Sequence, residues 1–194
     1  MADDLLDAPL SDFIETLSSA SPPGGGSAAA VTVAMAAGLV VMVGRASKDR
    51  WDEAGGAIGQ AETFLARVGP LVQSDAEVYS DALALLRRRE EVAERYRDQT
   101  LREALERAAE IPMRIAEAGS DLACLAALLV QNGDPEVRAD AAVACVLAEG
   151  GARAAAKLVE TNLGATEGDP RVRHVRTLVA VAAEASERAL AAAE

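Results

Sequence analysis

From Ser27 to Gly44 the chain carries no ionisable side chain. A stretch of that length touches the lower limit for crossing a bilayer. It is built largely of Ala, Val and Gly, which drive insertion weakly, and no aromatic belt flanks it. The reading that follows is a central helix buried on every side, with no membrane involved. Ala30, Ala34 and Gly38 recur at spacing four, a strip against which a second helix can pack closely. A helix apolar all round needs more cover than one small domain supplies, so a helical oligomer, most simply a dimer, is expected.

The rest of the composition agrees. The 194 residues suffice for one sizeable core, so residues 1–194 are read as a single domain. Hydrophobic residues make up 51% of the chain, yet aromatics only 3%, which leaves Ala, Val, Leu and Gly to fill the interior. The formal charge of −12 repels phosphate and argues against a nucleic-acid partner. Cys124 and Cys145 sit in apolar stretches with neither disulfide nor zinc spacing, and read as core thiols in a reducing compartment. The acidic start Met1-Ala2-Asp3-Asp4 does not resemble a secretory signal, so a cytoplasmic location is expected.

Along the chain, Asp12 and Glu15 pair as a cap for a short helix that Ser21-Pro22-Pro23 stops. Ser27 is a ready N-cap for the apolar helix. Asp52 caps a helix to about Val68, and Gly69-Pro70 reads as a stop followed by a fresh start. The next helix, from Leu71 to about Arg95, has Asp75 in its first turns and the solvated run Arg87-Arg88-Arg89-Glu90-Glu91. Thr100-Leu101-Arg102-Glu103 is a capping box; Pro112 should kink its helix and Asn132-Gly133 should end it. Asp134-Pro135 opens a helix to Leu163 that Gly150-Gly151 could bend, and Asp169-Pro170 launches the last one. No stretch alternates with period two. The fold class is therefore all-α, a compact bundle of six or seven helices around the Ala/Val/Gly-rich central one.

Few residues can carry chemistry. The one histidine, His174, lies in the exposed-looking run Arg171 to Arg176, so no metal site is expected. No phosphate-loop or dinucleotide fingerprint occurs. What remains is Pro23-Gly24-Gly25-Gly26-Ser27 at the mouth of the apolar helix. Unpaired N–H groups and the helix dipole there favour a carboxylate, phosphate or developing oxyanion. The competing reading is a tight turn that uses glycine for dihedrals other residues avoid. Physics alone leaves both open.

The run Ser21-Pro22-Pro23-Gly24-Gly25-Gly26-Ser27-Ala28-Ala29-Ala30 resembles the signature of the cyclodeaminase/cyclohydrolase family. That family includes formiminotetrahydrofolate cyclodeaminases and bacterial methenyltetrahydrofolate cyclohydrolases. The likeness continues in Asp75-Ala76-Glu77-Val78-Tyr79, Ile111-Pro112, Gly133, Ala139-Asp140-Ala141-Ala142-Val143-Ala144 and Val159-Glu160-Thr161-Asn162. The chain departs from the pattern at Leu158, where the family usually has an asparagine. It departs again at Ser47-Lys48-Asp49-Arg50-Trp51, where the family is richer in lysine, and at Leu86-Arg87-Arg88, in place of a Pro-Lys element.

The resemblance implies an all-helical homodimer that acts on a tetrahydrofolate derivative, with no metal and no cofactor besides that substrate. It implies Asp75 and Asp140 as catalytic acids. It further implies Pro23, Gly24, Gly25, Gly26, Ser27, Lys48 and Asn162 as substrate-binding residues. Both family reactions pass through a tetrahedral carbon bridging N5 and N10, and a buried carboxylate suits the proton transfers involved. Asp75 and Asp140 could equally be acids placed to complement helix dipoles. Along an unbroken helix Asp140 and Asn162 would stand about 33 Å apart, so either the helix breaks at Gly150-Gly151 or two subunits build the site. Beside the enzyme stand two other readings: a non-catalytic folate-binding or scaffold protein derived from the family, and a purely structural dimer.

Overall fold

The computed structural model describes residues 5–19, 21–87, 94–164 and 168–193. It contains α1 (Leu10–Leu17), α2 (Gly25–Ala46), α3 (Ala54–Arg87), α4 (Glu94–Asn132), a 3₁₀ turn (Pro135–Val137), α5 (Arg138–Asn162) and α6 (Pro170–Ala193). No strand occurs among the described residues. Residues 88–91 of the charged run lie outside them.

The uncharged segment is α2, and α3, α4 and α5 all pack on it. Ala30, Val33, Val40 and Val43 are fully buried, which is the burial an all-apolar helix requires. Among the described residues α2 is the one helix long and apolar enough to cross a membrane, but 61% of its apolar window is buried inside the bundle. The small-residue strip is only partly as expected. Ala30 and Ala34 are buried, whereas Gly38 is exposed and a side chain there would meet nothing. Gly38 instead joins exposed Met35 and Met42 and half-buried Val31 and Leu39 in an apolar stripe along the helix.

Two expected helix boundaries are absent. Gly69-Pro70 does not stop a helix: α3 runs through it, with Pro70 inside. Buried Val68, Leu71 and Val72 anchor the segment on both sides of the proline, so packing outweighs one missing N–H. Thr100 to Glu103 likewise lie within α4, which begins at Glu94 and continues through Pro112. Asn132 ends α4 as expected, and the Asp134 side chain caps the 3₁₀ turn by accepting from the Glu136 N–H at 3.0 Å.

Gly150-Gly151 does not divide α5 either. Gly151 serves close packing: a Cβ there would come within 2.5 Å of Val33 Cγ2 and 3.2 Å of the Ala29 carbonyl on α2. Gly119 does the same between α4 and α5, 2.9 Å from the Ala148 carbonyl. Buried Ser47 ties the other end of α2 to the α4–α5 junction. Its hydroxyl donates to the Val43 carbonyl and accepts the Asp134 N–H, both at 2.8 Å.

Candidate functional site

Ser27 is not the N-cap of α2. The helix starts two residues earlier, at Gly25, with Gly24 as an extended cap residue (φ −129°, ψ −154°) that has no side chain to offer. The cap comes from another helix. Asp75, on α3, accepts the Ser27 N–H at Oδ2 over 2.9 Å. Ser27 Oγ also lies 3.3 Å from the same oxygen and 2.8 Å from the Val72 carbonyl. A hydroxyl has one proton, and the shorter contact assigns it to the carbonyl.

Glycine is required at one position of the turn, for a reason other than its dihedrals. Among the described residues the positive-φ glycine is Gly164, far along the chain from this turn. A Cβ on Gly26, however, would sit inside the Asp75 carboxylate, closer than any non-bonded contact allows. Gly25 meets no such obstacle. The bare backbone at Gly26 thus lets a carboxylate reach the helix N-terminus.

Asp75 is only 8% exposed. Burial raises its carboxyl above the ordinary carboxylate value, and the hydrogen bond donated by the Ser27 N–H pulls it partly back. Oδ1 has no hydrogen-bond partner among the described residues. A carboxyl with one oxygen anchored and the other free, whose burial makes it hold its proton more tightly than an exposed carboxyl, is equipped to take part in proton transfer.

A cavity of about 140 Å³ opens beside it, lined by Gly24, Gly25, Gly26, Asp75, Val78, Tyr79, Ala108, Pro112, Leu158 and Asn162. The cavity therefore gathers the glycine turn, Asp75 and Asn162. Asp75, Val78 and Tyr79 reach it from one face of α3 because positions i, i+3 and i+4 are neighbours on a helix. Tyr79 was missed in the sequence as a wall of the site; its spacing of four from Asp75 was the available signal. Asn162, at the end of α5, donates its Nδ2 to the Ala108 carbonyl at 2.9 Å. Leu158 presents an apolar side chain one turn before it.

Of the other expected residues, Pro23 is buried just ahead of the lining glycines and Ser27 lies fully buried behind them. Lys48 and Asp140 are exposed and lie elsewhere. Lys48 follows the far end of the 22-residue α2, about 33 Å from the turn. Asp140 is in the first turn of α5, opposite Asn162, and that helix is continuous. Within one chain these two do not meet the cavity, and a broken α5 cannot bring Asp140 there. Among the described residues no three His, Cys, Asp or Glu side chains gather as a metal site. His174 is exposed, with Nε2 3.4 Å from Glu117 Oε1. Cys145 is buried, its Sγ donates to the Ala123 carbonyl, and burial pushes its thiol up to about 12.

Comparison with known structures places this architecture. The chain superposes on the crystal structure of a formiminotetrahydrofolate cyclodeaminase from Thermotoga maritima with a TM-score of 0.82, at 20% identity. The match covers 97% of this chain and 96% of that one. At that identity the likeness concerns the fold. No match was found among curated proteins. The family model described as formiminotransferase-cyclodeaminase aligns with residues 9–190. With nearly the whole length matched, the chain belongs to the formiminotransferase-cyclodeaminase family.

Proposed function

We propose that the protein is a folate one-carbon enzyme, a cyclodeaminase or cyclohydrolase that acts at the carbon bridging N5 and N10 of a tetrahydrofolate derivative. The observation that carries this reading is the buried Asp75 carboxyl, anchored at the α2 N-terminus with its second oxygen free beside a small cavity. In a cyclodeaminase N10 attacks the formimino carbon, a tetrahedral centre forms, and ammonia departs. In a cyclohydrolase water adds to the methenyl carbon and the ring opens. Both routes need a proton moved at nitrogen or oxygen next to that centre, and Asp75 is the group to move it. Asn162 and the free N–H groups at the start of α2 would orient the polar edge of the substrate.

The cavity is too small for a whole folate and suits its reacting end. A second hollow of about 210 Å³, lined by Val78, Asp81, Ala82, Ala104 and Arg107, adjoins at Val78. Arg107 there offers a cation to the carboxylates at the other end of such a substrate.

The same reading includes a homodimer. The stripe Val31, Met35, Gly38, Leu39 and Met42 leaves the most apolar helix uncovered on one side. A second copy is its proposed partner. Were α2 to pack antiparallel to its copy, the Lys48 end of one subunit would lie toward the glycine turn of the other. That arrangement would explain why Lys48 and Asp140 stand apart from the cavity within one chain.

One observation favours the non-catalytic alternative: Leu158 removes a polar group from the cavity wall. Turnover assays with 5-formimino- and 5,10-methenyltetrahydrofolate, together with a titration of binding, separate the two. Ring closure or opening supports the enzyme; binding without turnover favours a folate-binding protein. No binding at millimolar concentration rejects both.

A further inference from the structure

Pro112 lies inside α4, where a proline has no N–H for the carbonyl four residues earlier and its ring pushes that carbonyl outward. That carbonyl belongs to Ala108, which instead accepts the Nδ2 of Asn162 from α5 at 2.9 Å. Ala108, Pro112 and Asn162 all line the cavity that holds Asp75. We infer that Pro112 is a positioning residue: by freeing the Ala108 carbonyl it fixes the amide of Asn162, and with it the polar edge of the site.

The chemistry makes the orientation one-way. A carbonyl oxygen only accepts, so the amide nitrogen must face Ala108. Oδ1 and the second N–H are then left to the cavity, with one acceptor and one donor in a set order. With a residue bearing an N–H at 112, the α4 ladder would draw the Ala108 carbonyl back along the helix axis. Asn162 would then share its acceptor with the helix N–H and hold its amide less firmly in that orientation. The proline thus serves the ligand side of the helix, since an alanine would serve the helix better. The inference rests on the reading of this cavity as a reduced-folate site, and its test keeps the two apart.

The test compares wild type, Pro112→Ala, Asn162→Ala and the double variant. The first readout needs no ligand: the side-chain ¹⁵N–¹H₂ signal of Asn162, identified by its loss in Asn162→Ala. It should shift in Pro112→Ala, because the hydrogen bond to Ala108 is weakened. The second is the affinity for 5-formyltetrahydrofolate. Pro112→Ala should bind about tenfold more weakly, the worth of one ordinary hydrogen bond. On the Asn162→Ala background the same change should have no further effect.

An unshifted Asn162 signal would overturn the inference, as would equal losses of affinity on both backgrounds. A Pro112→Ala chain that fails to fold would overturn it too, since the proline would then serve the helix. If wild type binds no reduced folate, the functional reading fails, and the Asn162 signal still decides the contact.

Discussion

Asp75 fills the space that a side chain at Gly26 would need, so the two positions specify each other across α2 and α3. Gly26→Ala must expel the carboxylate from the helix N-terminus, while Gly25→Ala adds a methyl group to open space. The Gly26 variant is expected to lose at least a hundredfold in turnover with its helical circular dichroism retained. Thermal unfolding should show Gly25→Ala within about 0.5 kcal/mol of wild type, as for a surface change without clash. Equal stability and turnover in the two variants would remove the special place of Gly26.

Asp75→Asn keeps an oxygen that can accept the Ser27 N–H but loses the proton. If Asp75 transfers it, kcat should fall about 10²- to 10⁴-fold with a much smaller change in KM. Steady-state kinetics on the substrate that turns over decide this; a variant with full rate leaves Asp75 as a cap alone.

The pH dependence of stability carries a definite sign. The folded carboxyl is raised above its ordinary 3.8, so the native chain holds this proton more tightly than the unfolded one. Below that value both states are protonated and the residue contributes no difference. As pH rises from there to the folded value, the native state loses stability from this group, and above it the penalty is constant. The melting temperature of Asp75→Asn relative to wild type should therefore climb with pH over that window and then level off. A difference that fell with rising pH would contradict the burial of Asp75.

The uncovered side of α2 predicts association. Wild type should be dimeric by light scattering at micromolar concentration, and Met35→Glu combined with Met42→Glu should yield monomers that remain helical. Loss of turnover with the dimer would support a site shared between subunits. A wild type that stays monomeric would reject the docking of a second copy on this stripe.

Much of this was legible beforehand, and the exceptions have physical causes. The uncharged run without alternation reads as a central helix buried on every side; α2 is central, yet one side of it, at Met35, Gly38 and Met42, is exposed. Gly69-Pro70 misled because local propensity says nothing of the buried Val68, Leu71 and Val72 that carry α3 through the proline. Ser27 looked like a cap because a serine normally caps its own helix; here the cap is 48 positions away, which local spacing does not reveal. Asp75 and Asn162 were marked by resemblance and do meet at one cavity, whereas Lys48 and Asp140, marked the same way, lie at the other end of their helices. Tyr79 and Pro112 stood in the sequence only as parts of the resemblance and, for Pro112, as an expected kink; their place at the cavity depends on which helix faces which.

The close approaches at Gly119 and Gly151, and the wholly buried alanines around them such as Ala148 and Ala152, have a consequence for how this chain can change over time. Side chains so small leave almost nothing to truncate, so cavity-forming substitutions are scarce at these contacts. Nearly every replacement adds volume instead, and overpacking a tight core costs about 1–3 kcal/mol each time. Sequence drift is thereby steered away from the helix contacts and onto the exposed faces. A deep mutational scan should find the least tolerant positions among the glycines and alanines, ahead of the few aromatic residues.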